Sequence, residues 1–325
     1  MLLNTWQHLP EKINPIAFHL GSIQISWYGI MYLIAFAVVY YLVKYRIRTE
    51  KININFETVR DFFPWAIVGM LLGARLGDVF IYDWEYFQNH LSQIFLPFDI
   101  FNHWRYIGIY GMSYFGGLVG IIIAFYIFAK IKLPLLNKER AGVRLERAWG
   151  EVLEFSDLFV PAVPLAYVFG RLGNFLNGEL YGRVTTKPWG MYFPLDILGQ
   201  LRHPSQLYEL FLEGILLFAI LWIIRKSPSS SPFFKGGESG FPLSQRGIKG
   251  DFKKWPTGYL TAFYLIGYGL ARFVAEFFRQ PDNNWFFLSL TIGQWFSVGI
   301  IVVGLAIIFA KRKRPHDDFT AFCID

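Results

Sequence analysis

Residues 62–82 read FFPWAIVGMLLGARLGDVFIY, and this stretch decides the fold class. It is long enough to cross a bilayer as a helix, which takes about 20 mostly apolar residues. It also holds Arg75 in its second half. A charge near mid-membrane costs about 2.5–3.5 kcal/mol on insertion scales, so an arginine kept there needs a purpose. Six further apolar blocks follow the same pattern, at 22–43, 107–129, 152–172, 206–224, 257–278 and 290–310. The fourth is interrupted by Pro161 and Pro164, breakers that membrane helices tolerate when neighbours satisfy the freed backbone groups. The expectation is an all-α polytopic membrane protein of about seven transmembrane helices.

Composition agrees. The 325 residues are 54% hydrophobic, 19% aromatic and 17% charged, against about a quarter charged in soluble domains. The net charge of +7 would suggest nucleic acid in a soluble protein. Here the basic residues lie between apolar blocks, so membrane topology accounts for them and no nucleic-acid partner is expected. The single cysteine, Cys323, excludes a disulfide framework or thiolate metal cluster within one chain. The first block lacks a basic segment before it and reads as a retained span rather than a cleaved signal peptide.

The connections alternate in charge. Segments 44–60, 130–147 and 225–256 carry five, six and seven Lys or Arg, and the tail after 310 carries four. The intervening connections are poor in them. The positive-inside rule places the rich side in the cytoplasm, with the N-terminus outside, the C-terminus inside and an odd number of spans. The whole chain, 1–325, reads as one integral-membrane domain. Segment 227–255, rich in Ser, Pro, Gly and Lys, reads as a disordered cytoplasmic insertion.

Six ionisable residues sit in or at the edge of spans: Arg75, Asp157, Arg171, Glu209, Arg272 and Glu276. The orientation puts all but Asp157 in the outer half of the membrane. They could pair with one another and staple the bundle, Arg272 and Glu276 being spaced i, i+4 on one helix face. Three arginines in one low-dielectric layer also suit a bound anion, because guanidinium binds phosphate through two parallel hydrogen bonds. A phospholipid headgroup is the anion at that depth.

The segment between the fourth and fifth blocks, GRLGNFLNGELYGR (Gly170–Arg183), places Arg171, Asn174, Asn177 and Glu179 among four glycines. Glycine permits tight turns and close approach to a ligand. Just beyond it, HPSQLYE (His203–Glu209) opens a helix at Pro204. His203 lies at the outer surface and is a candidate for proton transfer.

These stretches resemble prolipoprotein diacylglyceryl transferases. The resemblance also covers SWYGIMYL (Ser26–Leu33), GARLG (Gly73–Gly77), GMSYFGGLVG (Gly111–Gly120), RHPSQLYELFLEG (Arg202–Gly214) and GYGLARFVAEFFRQPD (Gly267–Asp282). It implies seven spans in the bacterial inner membrane and transfer of the diacylglyceryl group of phosphatidylglycerol to the lipobox cysteine of a prolipoprotein signal peptide. A thioether forms and glycerol phosphate leaves. The resemblance implies no metal or redox cofactor, and a monomer is expected. Arg171 would clamp the phosphate with Arg272 in support. Asn174, Asn177 and Glu179 would orient the headgroup, Tyr28, Tyr268 and Arg75 would line the site, and Glu276 would fix Arg272. One departure stands out: the family commonly has a histidine where this chain has Phe115. Either His203 or a glutamate supplies the base, or the arginines alone favour thiolate, or the chain is an inactive or lipid-binding relative. A solute transporter fits less well, because the two halves show no repeat.

Overall fold

The computed structural model describes residues 2–21, 23–50, 52, 54, 56–81, 83–96, 98–99, 105–106, 113–132, 150, 152–226, 255–281 and 286–312. The chain divides into two compact units, Met1–Arg46 with Trp149–Asp325, and Ile47–Ala148.

In the first unit, helices α1 (Leu2–Gln7) and α2 (Leu9–Lys12) precede a hairpin of β1 (Ile16–Leu20) and β2 (Ile23–Ser26). The long α3 (Trp27–Thr49) follows. The apolar block expected as a span from residue 22 therefore begins as a strand. Gly21, at φ +63°, makes the turn, and the polar–apolar alternation of IQIS suits a strand.

The fourth block is a bent pair, α7 (Val152–Phe159) and α8 (Val163–Leu176), crossing at 58°. Pro161 has no N–H for the Asp157 carbonyl, so that acceptor needs another partner. Arg46 supplies it, donating to the Asp157 and Leu158 carbonyls at 2.7 and 2.6 Å. The Asp157 side chain accepts from the Gly258 and Thr261 N–H groups at 2.6 and 2.8 Å and so caps α10 (Tyr259–Ala275). This charge, at the bend of the pair, is structural. Between them lies α9 (Ser205–Ile224), which widens to π winding over Leu210–Leu216.

A second unit in sequence, Ile47–Ala148, is organised by α4 (Phe56–Ile81) and α6 (Tyr114–Lys132), with the short α5 (Trp84–Phe87) and a two-stranded hairpin, β3 (Phe98–Asp99) and β4 (Arg105–Tyr106), between them. Glycines let α4 and α6 touch backbone to backbone. A Cβ on Gly116 would strike the Gly73 carbonyl, and one on Gly77 would lie 2.7 Å from the Gly116 Cα. This is the small-residue packing of membrane helices.

The first unit ends with a third hairpin, β5 (Phe286–Phe287) and β6 (Leu290–Thr291), and α11 (Ile292–Arg312). Among the described residues, four helices are long and apolar enough to cross a membrane: α3, α4, α9 and α11 up to Ala310. The bent pair makes a fifth. The described apolar part of α6, Gly116–Phe128, and α10 are shorter. The protein is thus a mostly helical polytopic membrane protein, and the three small hairpins are additions to the all-α expectation. The insertion read at 227–255 lies outside the described residues apart from Trp255, as does Cys323.

Candidate active site

Three arginines of the first unit surround one carboxylate. Glu209, in the first turns of α9, is fully buried. Its Oε2 accepts from Arg171 Nη2 at 2.8 Å and Arg272 Nη1 at 2.9 Å, with Arg279 Nη1 at 3.8 Å. The Tyr167 hydroxyl also donates to it, at 3.3 Å. Arg171 and Tyr167 come from α8, Arg272 from α10, and Arg279 from the turn after α10. Carboxylate burial is costly unless charge and hydrogen bonds compensate, and here the compensation comes from three separate segments.

Each arginine is held further. Arg171 Nε donates to the Tyr167 hydroxyl at 2.7 Å and its Nη1 to Asn174 Oδ1 at 3.3 Å. Asn174 passes the chain on, donating to Glu179 Oε1 at 2.8 Å. Arg272 Nη2 pairs with Glu276 Oε2 at 3.0 Å, the i, i+4 contact expected from the sequence. Glu276 Oε1 accepts from the Thr291 hydroxyl at 3.2 Å. A Cβ on Gly293 would overlap the Glu276 carboxylate, so glycine leaves room for that carboxylate at the start of α11.

The glycine-rich segment turns where the residues demand it. Gly178 and Leu180 both have positive φ, +70° and +58°, which strains an ordinary side chain such as leucine. The start of α9 holds this turn: Gln206 donates to the Glu179 carbonyl at 2.7 Å and Ser205 to the Leu180 carbonyl at 3.0 Å. Gly182 bridges to Arg279, its N–H donates to the His203 carbonyl at 2.8 Å, and the Arg183 N–H donates to the Phe278 carbonyl at 2.9 Å. The motifs around Arg171, Glu209 and Arg272 are thereby locked together. Glu179 and Arg279 border an open recess with Leu180, Tyr181, Leu195 and Gln280.

The other expected residues fall as follows. Tyr28 packs its ring against Gly173 and shares a hydrogen bond with Tyr32 at 3.1 Å. Tyr268 meets the Tyr167 ring edge-on, with centroids 6.2 Å apart. Asn177 ends α8, its backbone N–H donating to the Gly173 carbonyl at 3.0 Å. His203 shares a hydrogen bond with the Tyr208 hydroxyl at 3.0 Å and lies edge-on to Phe278. Burial, and then the nearby Lys187, hold its imidazole below the usual range. None of these His203 contacts is a member of the arginine cluster. Arg75 lies in the other unit. It donates to the Ile94 and Gln93 carbonyls, both at 2.8 Å, reaches Asp78 at 3.6 Å and stacks over Phe87. Phe115 falls in the first turn of α6, and its side chain lies outside the described residues.

Sequence reasoning missed Arg279, Tyr167 and Glu213. Glu213 is fully buried on α9, one turn beyond Glu209, with Oε1 3.7 Å from Arg272 Nη1. The signal was present, since a second glutamate inside an apolar block is as costly as the first.

Comparison with known proteins places the chain in a family. Residues 15–310 match the family model described as prolipoprotein diacylglyceryl transferase. A phosphatidylglycerol–prolipoprotein diacylglyceryl transferase from Chlorobaculum tepidum is 42% identical over 96% of this chain and 94% of its own. Proteins of the same name from Helicobacter pylori strain J99 and Legionella pneumophila strain Lens are 37% and 36% identical, over 96% and 93% of this chain and 98% of each of theirs.

Proposed function

This chain belongs to the prolipoprotein diacylglyceryl transferase family, and from that premise we infer how its residues perform the transfer. The protein moves the diacylglyceryl group of phosphatidylglycerol to the cysteine thiol of a prolipoprotein lipobox. The cysteine sulfur forms a bond to the glyceryl carbon as that carbon's bond to the phosphate oxygen breaks. The electron pair leaves with glycerol phosphate. The thiol proton passes to this leaving group, since a phosphate monoester has a second pKa of about 6.

The observation that carries the reading is the convergence of Arg171, Arg272 and Arg279 on one carboxylate oxygen. A phosphodiester that becomes a monoester gains charge as the bond breaks. Preorganised guanidinium donors stabilise that gain in a water-poor site, where such a donor is worth about 10²–10³-fold in rate. The same positive field favours thiolate at an approaching cysteine. Asn174, Asn177 and Glu179 orient the headgroup next to Arg171, with Tyr28 and Tyr268 lining the site. Glu276 fixes Arg272. His203 serves as a positioning residue for the loop that carries Arg183, and Arg75 for the segment before α6. The protein lies in the bacterial inner membrane as a monomer, with seven spans, the N-terminus outside and the arginine cluster in the outer half.

Complementation tests the function. Cells depleted of their own transferase receive this gene, and processing of a lipobox protein is followed by gel shift. Restored processing is expected. Failure with the protein present in the membrane at normal abundance would overturn the reading.

A further inference from the structure

Among the described residues, neither carboxyl oxygen of Glu213 has a hydrogen-bond partner, although the side chain is fully buried. A buried carboxyl without a hydrogen bond is costly, and far more so when ionised. The mechanism above does not use it. Its place is nevertheless specific. It sits in the π-wound part of α9, a winding that recurs at functional sites. It shares Arg272 Nη1 with Glu209, at 3.7 Å against 2.9 Å.

Charge decides what such a group does. The residues linked by direct ion pairs are the guanidiniums of Arg171, Arg272 and Arg279 and the carboxyls of Glu209, Glu213 and Glu276. With all three carboxyls ionised this cluster is neutral and holds no attraction for an anion. With one of them protonated it carries a single positive charge, equal and opposite to one phosphodiester. Glu209 and Glu276 each accept hydrogen bonds from an arginine. Glu213 accepts none from an arginine, its nearest guanidinium nitrogen being 3.7 Å away, so of the three it is the carboxyl whose ionised form is least compensated.

We propose that Glu213 is a positioning residue whose retained proton leaves Arg272 and the cluster one positive charge in excess, and that this excess charge is what admits the phosphodiester headgroup. The proposal rests on the transferase reading for the identity of the lipid. The groups that face Glu213 are Tyr167 and Arg171 from α8, Arg272 from α10 and Glu209 on its own helix. Arginine and tyrosine do not ordinarily titrate near neutral pH, and Glu209 is fixed by its arginine partners. Loss of the Glu213 proton is therefore the event that switches the cluster to neutral.

The test is binding of phosphatidylglycerol to the full-length protein in phosphatidylcholine nanodiscs, measured from acid to alkaline pH. Where binding requires the protonated carboxyl, wild-type affinity falls about tenfold per pH unit above the ionisation. Glu213→Gln mimics the neutral form and is expected to hold its affinity across the range. Glu213→Met, of similar volume and uncharged, repeats the test should the glutamine variant fail to fold. Equal pH dependence in wild type and variants overturns the proposal while leaving the transferase reading intact, and so does absence of binding at every pH. Wild-type protein that binds as stated but never transfers overturns the transferase reading and leaves the proton coupling standing.

Discussion

Arg171 and Arg272, on different helices, donate to the same oxygen of Glu209, at 2.8 and 2.9 Å. The glutamate holds two guanidiniums side by side that would otherwise repel.

Removing the charge of Glu209 should therefore damage both structure and chemistry. Breaking a buried ion pair by deleting one partner costs about 3–5 kcal/mol. Glu209→Gln is expected to lower the thermal midpoint in detergent and to abolish transfer. An unchanged midpoint would mean the arginines do not depend on it.

Arg171 makes three directed bonds, to Tyr167, Asn174 and Glu209. Lysine keeps the charge but cannot keep the fork. Arg171→Ala should lose about 10²–10³-fold in rate, and Arg171→Lys should stay well below wild type. Wild-type rates for the lysine variant would show that charge alone suffices.

Gly182 lies where three motifs cross. An added Cβ would overlap the Phe278 carbonyl and lie 2.8 Å from that of His203. Both obstacles are backbone, so neither swings aside. Gly182→Ala is expected to cost about 1–3 kcal/mol by overpacking and to remove most activity through displacement of Arg279. Normal turnover in that variant would count against the locked geometry.

The loop beside the recess has a pH signature. Arg202 donates to both oxygens of Asp196 at 2.8 Å and holds that carboxyl below the usual carboxylate range, the largest cause being this hydrogen bonding. Its stabilisation is complete above the usual carboxylate range and is lost as pH falls through the lowered value. Amide exchange over residues 195–202 should stay slow at neutral pH and quicken in acid. Asp196→Asn should exchange fast at both.

Much of this was legible before the structure. The apolar blocks each hold a helix or bent pair, because a long apolar run in lipid has few ways to satisfy its backbone. Pro161 and Pro164 marked the bend. Arg171, Arg272 and Glu276 were singled out by their cost in a membrane and Asn174 and Glu179 by the glycine-rich segment that holds them, and the structure joins all five in one hydrogen-bonded chain through Glu209. The role of Glu209 as hub was not legible, since it depends on three segments far apart in sequence. Arg279 was not singled out, because its burial depends on a bridge to Gly182, far away in sequence. The strand at Ile23–Ser26 was absorbed into an apolar block because helical and extended apolar runs look alike when short.

Mass spectrometry of a lipobox peptide incubated with the purified protein and phosphatidylglycerol reads the transfer itself. The peptide cysteine is expected to gain one diacylglyceryl group for each glycerol phosphate released, and Arg171→Ala to lose both products together. An unmodified cysteine with the wild-type protein, or equal modification by Arg171→Ala, would contradict that expectation.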